Sequence, residues 1–82
     1  VEKAQIHPNP ANKNVSVQYE LEENEEGILR IYDLNGKQYQ EIKILGIGRQ
    51  SINIENYKNG IYLYTLEIEG EIIQREKLMI IK

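Results

Sequence analysis

Between Asn59 and Gly70 the chain reads NGIYLYTLEIEG, in which one row of every second position is apolar throughout. Tyr62, Tyr64, Leu66 and Ile68 form one row, while Thr65, Glu67 and Glu69 occupy the other side. A period of two marks a half-buried β-strand, because successive side chains of an extended backbone point to opposite faces. At roughly 3.3 Å per residue a strand of about nine residues here spans about 30 Å, the length of a central strand in a small sandwich. Asn59-Gly60 before it and Glu69-Gly70 after it are turn pairs, since Gly takes a positive φ without steric cost. Tyr62, two residues after Gly60, is placed to turn its hydroxyl back onto the preceding loop, as in a tyrosine corner.

The same alternation recurs along the chain. Gln5-Ile6-His7 is a short strand stopped by Pro8-Asn9-Pro10, whose two prolines remove backbone donors and force an extended, kinked path. Residues 14–21 set Val15, Val17, Tyr19 and Leu21 against Ser16, Gln18 and Glu20, a strand with one wet face. Residues 27–33 place Leu29 and Ile31 on one side and Ile28 and Tyr32 on the other, so this strand belongs inside a sheet. Asp33-Leu34-Asn35-Gly36 then signals a hairpin. The return strand, 37–44, is expected to carry Lys37, Tyr39 and Glu41 on one face and Ile42 and Ile44 on the other. Leu45-Gly46-Ile47-Gly48 is read as a flexible link, and residues 50–55 as a strand with Ile52 and Ile54 inward.

Residues 71–82 form the last strand, with Ile72, Leu78 and Ile80 in one register, Ile73, Met79 and Ile81 in the other, and a bulge expected within Gln74–Lys77. No stretch carries a 3.6-residue apolar repeat. About seven strands separated by turn signals predict an all-β fold, a small immunoglobulin-like antiparallel sandwich with Greek-key connections.

Composition narrows the function. The 82 residues make one domain, with residues 1–13 partly linker-like, and a start at Val1 fits a piece of a longer chain. Without Cys, Trp or Phe the core must be built from Ile, Leu, Val and Tyr. Net charge −3 and the lack of a basic stripe argue against nucleic acid, and no apolar run is long enough for membrane insertion. The absence of Cys removes both a thiolate nucleophile and zinc's commonest structural ligands. His7 is the sole histidine, with neither a metal-ligand set nor a nucleophile to serve. Gly46 and Gly48 make no phosphate loop, because no Lys-Ser/Thr follows them. The acidic run ELEENEEG lacks the ligand spacing of a calcium loop and reads as a hydrated turn. With no nucleophile–base pair or metal site, no catalytic residue, cofactor or metal is expected.

Four landmarks nevertheless stand in order: Pro8-Asn9-Pro10-Ala11 ahead of a strand, Ile31-Tyr32-Asp33-x-x-Gly36-Lys37, Asn59-Gly60-Ile61-Tyr62-Leu63, and Lys77-Leu78-Met79-Ile80-Ile81-Lys82. In this order and spacing, over nearly the whole chain, they resemble the type A C-terminal sorting domain of the type IX (Por) secretion system of Bacteroidota. His7 departs from the pattern, which more often has an aromatic residue before Pro-Asn-Pro.

The resemblance implies a domain fused behind a cargo protein. It would address that cargo from the periplasm through an outer-membrane translocon to the cell surface, where a sortase removes it. By position it implies recognition through Gly60, Tyr62, Lys77 and Lys82, with Pro8, Asn9, Pro10, Asp33, Gly36 and Lys37 as structural motif residues. Two other readings stand beside it. One is an accessory module of a secreted hydrolase that spaces domains or binds carbohydrate through Tyr32, Tyr39 or Tyr57; the other is self-association through the terminal strand.

Overall fold

The computed structural model describes residues 3–8 and 13–82, and Asn9, Pro10 and Ala11 of the first landmark lie outside the described residues. Seven strands follow in order: β1 (Ala4–His7), β2 (Asn14–Glu20), β3 (Glu26–Asp33), β4 (Gln38–Leu45), β5 (Ile47–Asn53), β6 (Gly60–Ile68) and β7 (Glu71–Ile80). They form two antiparallel sheets, one ordered β1-β2-β5 and the other β4-β3-β6-β7. Hairpins join β3 to β4 and β6 to β7, and the β2–β3, β4–β5 and β5–β6 connections carry the chain between sheets. This is an immunoglobulin-like β-sandwich. Ala4–His7, within the stretch expected to be partly linker-like, is an edge strand antiparallel to β2.

The period-two rows supply the core. Val15, Val17, Leu29, Ile31, Ile44, Leu66, Leu78 and Ile80 are almost wholly buried, as the transfer of apolar surface out of water requires. β3 and β6 are the interior strands of the larger sheet, as the apolar character of both faces of β3 predicts. On the outer face of β6, Thr65 is only 4% exposed although it alternates with the wet positions. Arg30 and Arg75 stand directly opposite it on the two neighbouring strands. Arg30 also bridges Glu41 at 3.0 Å and Glu67 at 2.8 Å, so a lattice of long charged side chains flanks the threonine.

Turn chemistry matches backbone geometry. Glu69 and Gly70 take φ of 53° and 80° between the paired residues Ile68 and Glu71. That is a two-residue hairpin turn of the kind whose twist suits the flanking strands. The β3–β4 hairpin uses a longer loop, in which Gly36 N–H donates to the Asp33 carbonyl at 3.1 Å and Gly36 has φ 90°.

Four sequence expectations are corrected by tertiary structure. Tyr39 does not share a face with Lys37 and Glu41. Ile31 pairs with Gln40 and Tyr32 with Gln38, so Tyr39 is the extra residue of a β-bulge, and it turns inward against the core. The bulge of β7 falls at Ile73, between the Leu66–Gln74 and Glu67–Ile72 pairs, rather than within Gln74–Lys77. It therefore uncouples Ile72 from Leu78 and Ile80, and Ile72 stays 48% exposed. Finally, Leu45–Gly48 is no flexible link: Gly46 turns the corner with its carbonyl accepting from Leu21 N–H at 2.8 Å, and β5 begins at once. Gly48 lies opposite Tyr19, and a Cβ there would sit 2.8 Å from the Tyr19 hydroxyl oxygen, so the glycine makes room for the ring.

Candidate functional site

Strand register brings the scattered landmarks to one pole of the sandwich. Asp33, at the end of β3, pairs with Tyr62; Gly60 pairs with Ile80, Tyr62 with Leu78 and Leu63 with Lys77. The loop from Ile54 to Asn59 closes the same pole, tied to the start of β2 by Ile54 N–H donating to the Lys13 carbonyl. β1 ends there as well, since His7 pairs with Ser16 near the start of β2. Pro8, Asp33, Gly36, Lys37, Gly60, Tyr62, Lys77 and Lys82 thus share one end of the molecule, although they span most of the sequence.

Three tyrosines form the pole's interior. The rings of Tyr39, Tyr57 and Tyr62 stand 5.1–5.4 Å apart, with Tyr39 and Tyr62 edge-to-face, a preferred arrangement for aromatic pairs. Tyr62 is 4% exposed, and its hydroxyl donates to the Lys58 carbonyl at 2.7 Å. This is the tyrosine corner the sequence suggests. Burial raises the phenol pKa of all three rings, and each ring's neighbours add to the shift.

Asp33 organises the hairpin at the rim. Its carboxylate accepts from the backbone N–H groups of Asn35 and Lys37, each at 2.9 Å, and from the Tyr39 hydroxyl at 3.3 Å. The Lys37 N–H bond leads in lowering the Asp33 pKa below its ordinary value. The Lys37 ammonium sits 5.2 Å from the centre of the Tyr39 ring. On the far side Lys82 caps the end of β7. Its backbone N–H donates to Asn59 Oδ1 at 3.0 Å, and its ammonium donates to the Glu55 carbonyl. Lys82 and Tyr62 are thus both anchored on the loop that leads into β6.

The family model described as secretion system C-terminal sorting domain matches residues 5–82. The chain belongs to this family. The match bears out the resemblance to the type IX secretion sorting domain, and the family is one of sorting signals rather than catalysts. Searches of the curated proteins and of the solved structures found no match.

Within this sorting domain the four residues implied in recognition differ in what they present. Tyr62 is enclosed, so it shapes the surface from beneath without presenting its ring there. Gly60, at φ 152°, allows a backbone conformation that side chains rarely adopt. Lys77 and Lys82 are exposed. Tyr57 is only 7% exposed and the half-buried Tyr39 ring packs against Tyr57 and Tyr62, so neither offers a free planar surface, and Tyr32, the third candidate of a carbohydrate-binding reading, is half-buried as well.

At the opposite pole, in the acidic run, Glu25 pairs with Lys3 Nζ at 2.8 Å and accepts from Glu22 N–H. Among the described residues no cluster of His, Cys, Asp or Glu is arranged to hold a metal ion. A link missed by sequence reading is Gln74. Its amide oxygen accepts from the N–H groups of Lys3 and Ala4, and its amide nitrogen donates to the Ala4 carbonyl at 2.5 Å, which joins the edges of the two sheets. No local signal marks such a residue.

Proposed function

We propose that this domain is the address by which a fused cargo protein, lying ahead of it in the same chain, is taken by the type IX secretion apparatus through the outer membrane to the cell surface. There a sortase releases the cargo from the domain. The family match over residues 5–82 is the observation that carries this reading. The convergence of Gly60, Tyr62, Lys77 and Lys82 supports it, because a receptor can read one compact pole more readily than dispersed patches.

The mode of action is recognition of shape. The three-tyrosine cluster and the Lys82 anchor stiffen the pole before any partner arrives, and a preorganised surface loses less conformational entropy on docking.

The test is a reporter carrying a periplasmic signal peptide at its front and residues 1–82 at its end, expressed in a type IX-competent strain. The intact fusion is expected at the cell surface and in the medium. A fusion lacking residues 78–82, which removes Leu78 and Ile80 from the core and three of the nine β6–β7 residue pairs, is expected to remain in the periplasm. Equal export of the two fusions refutes the reading.

A further inference from the structure

Charge is sorted along the long axis of the molecule. Among the described residues, Lys13, Lys37, Lys58, Lys77 and Lys82 lie in the half that ends at the candidate pole, beside Asp33, Glu55 and, at its inner margin, Glu76. Asp33 is already engaged by two backbone N–H groups and a phenol. Glu20, Glu22, Glu23, Glu25, Glu26, Glu69 and Glu71 gather at the other end beside Lys3, Lys43 and Arg49, and Lys3 is paired with Glu25. The long axis measures 37 Å, several times the screening length of about 8 Å in physiological salt. A chain of net charge −3 therefore presents a basic pole that an approaching partner senses separately.

The basic pole also has an apolar centre. On the outer face of the larger sheet Tyr32 stands opposite Leu63, and Ile61 stands opposite Met79. Ile61 is 38% exposed and Ile81 53% exposed, while Tyr32, Leu63 and Met79 are half-buried. The path of the chain adds direction. β1 starts opposite Tyr19, near the end of β2, so a segment fused ahead of Lys3 joins at the acidic pole and leaves the basic pole clear.

We propose that the basic pole, with the Tyr32–Leu63 and Ile61–Met79 pairs at its centre, is the docking surface for an acidic face of a partner protein. The inference rests on the sorting reading and adds Lys13, Lys37 and Lys58 to the residues that the partner reads. An apolar centre with a charged rim is the anatomy of a protein–protein interface, and complementary charge fixes its register and speeds encounter. A protein fits better than an anionic bilayer, because these apolar groups lie flat on a sheet and the sequence has no Trp or Phe to insert.

The experiment uses the reporter fusion with two triple variants. Lys13→Glu/Lys37→Glu/Lys58→Glu reverses the basic pole, and Glu23→Lys/Glu26→Lys/Glu71→Lys reverses the acidic one; all six side chains are exposed. Export is expected to fall about tenfold or more for the basic-pole variant, with a melting temperature within about 2 °C of wild type, and to hold for the acidic-pole variant. A photo-reactive residue at Ile61 is expected to form a protein adduct in the wild type that the basic-pole variant loses. The purified domain is expected to show no lysine-dependent cosedimentation with phosphatidylglycerol vesicles.

Normal export of the basic-pole variant, an equal loss from the acidic-pole variant, or vesicle binding abolished by the lysine substitutions would overturn the proposal while leaving the sorting reading intact. A wild-type fusion retained in the periplasm overturns both.

Discussion

Replacing Tyr62 with Phe isolates the tyrosine corner. The ring keeps its contacts with Tyr39 and Tyr57, and only the 2.7 Å hydrogen bond to the Lys58 carbonyl is removed. A bond of this kind contributes about 1–1.5 kcal/mol net, and Lys58 is exposed enough for water to reach its freed carbonyl. The loss should therefore stay well below the penalty of a buried orphan acceptor. With an unfolding entropy of about 2 cal/mol/K per residue, a domain of this size loses roughly 6 °C of melting temperature per kcal/mol, so Tyr62→Phe should melt about 6–9 °C lower.

Tyr57→Phe is the control. Its hydroxyl lies 3.5 Å from Gln40 Oε1, at the limit of a useful hydrogen bond, and its removal should cost less than about 0.5 kcal/mol. Thermal and urea unfolding followed by far-ultraviolet circular dichroism would measure both variants. If Tyr62→Phe melts within about 2 °C of the wild type, or if Tyr57→Phe loses as much, the corner does not hold the pole together and the argument fails.

Gly27→Val should destabilise by about 1–3 kcal/mol in urea, because a Cβ at Gly27 already meets Leu66 at 3.0 Å and Ile44 at 3.1 Å in a packed core. Glu69→Asn should stabilise by a few tenths to about 1 kcal/mol, since Asn tolerates the positive φ of this turn better than Glu; a lower melting temperature would contradict the turn assignment. Gln74→Leu should speed hydrogen exchange at the amides of Lys3 and Ala4 while the amides of β6 stay protected, because it unfastens the junction between sheet edges and leaves the β3–β6 backbone ladder in place. In alkali, Tyr39, Tyr57 and Tyr62 hold phenol pKa values above the ordinary 10.0, so the stability they confer is complete below pH 10 and is lost as pH rises through their folded values. Tyrosinate absorbance and loss of strand dichroism should then rise together. In acid the sign reverses for Asp33: its contribution holds above the ordinary 3.8 and is lost as pH falls through its depressed value, seen as a lower urea midpoint for wild type but not for Asp33→Asn.

Much of the architecture was legible in the residues themselves. Period-two rows mark β2, β3, β6 and most of β7, Asn35-Gly36 and Glu69-Gly70 mark the hairpins, and Tyr62 after Gly60 marks the corner. These signals are local: each depends on backbone alternation or on a φ that few residues accept, and neither needs to know what lies across the sheet. The order of the four landmarks carried the family in the same way, as a linear pattern.

What the linear pattern could not hold is whatever depends on the register between distant strands. A single extra residue opposite Ile31 turns Tyr39 from the wet face into the tyrosine cluster, and another at Ile73 leaves Ile72 in solvent. The ring of Tyr19 explains Gly48 only once β2 and β5 are paired, and Gln74 finds Ala4 across 70 positions of sequence. The two poles are of this kind too. The acidic run at residues 20–26 is visible in the sequence, but only when antiparallel strands fold back on one another do Glu69 and Glu71 join it at one end and the scattered Lys13, Lys37, Lys58, Lys77 and Lys82 gather toward the other. The sequence by itself determined which segments extend and where they turn; tertiary pairing decided which side chains share a surface, because position in an antiparallel sheet is set by the partner strand's register and not by distance along the chain.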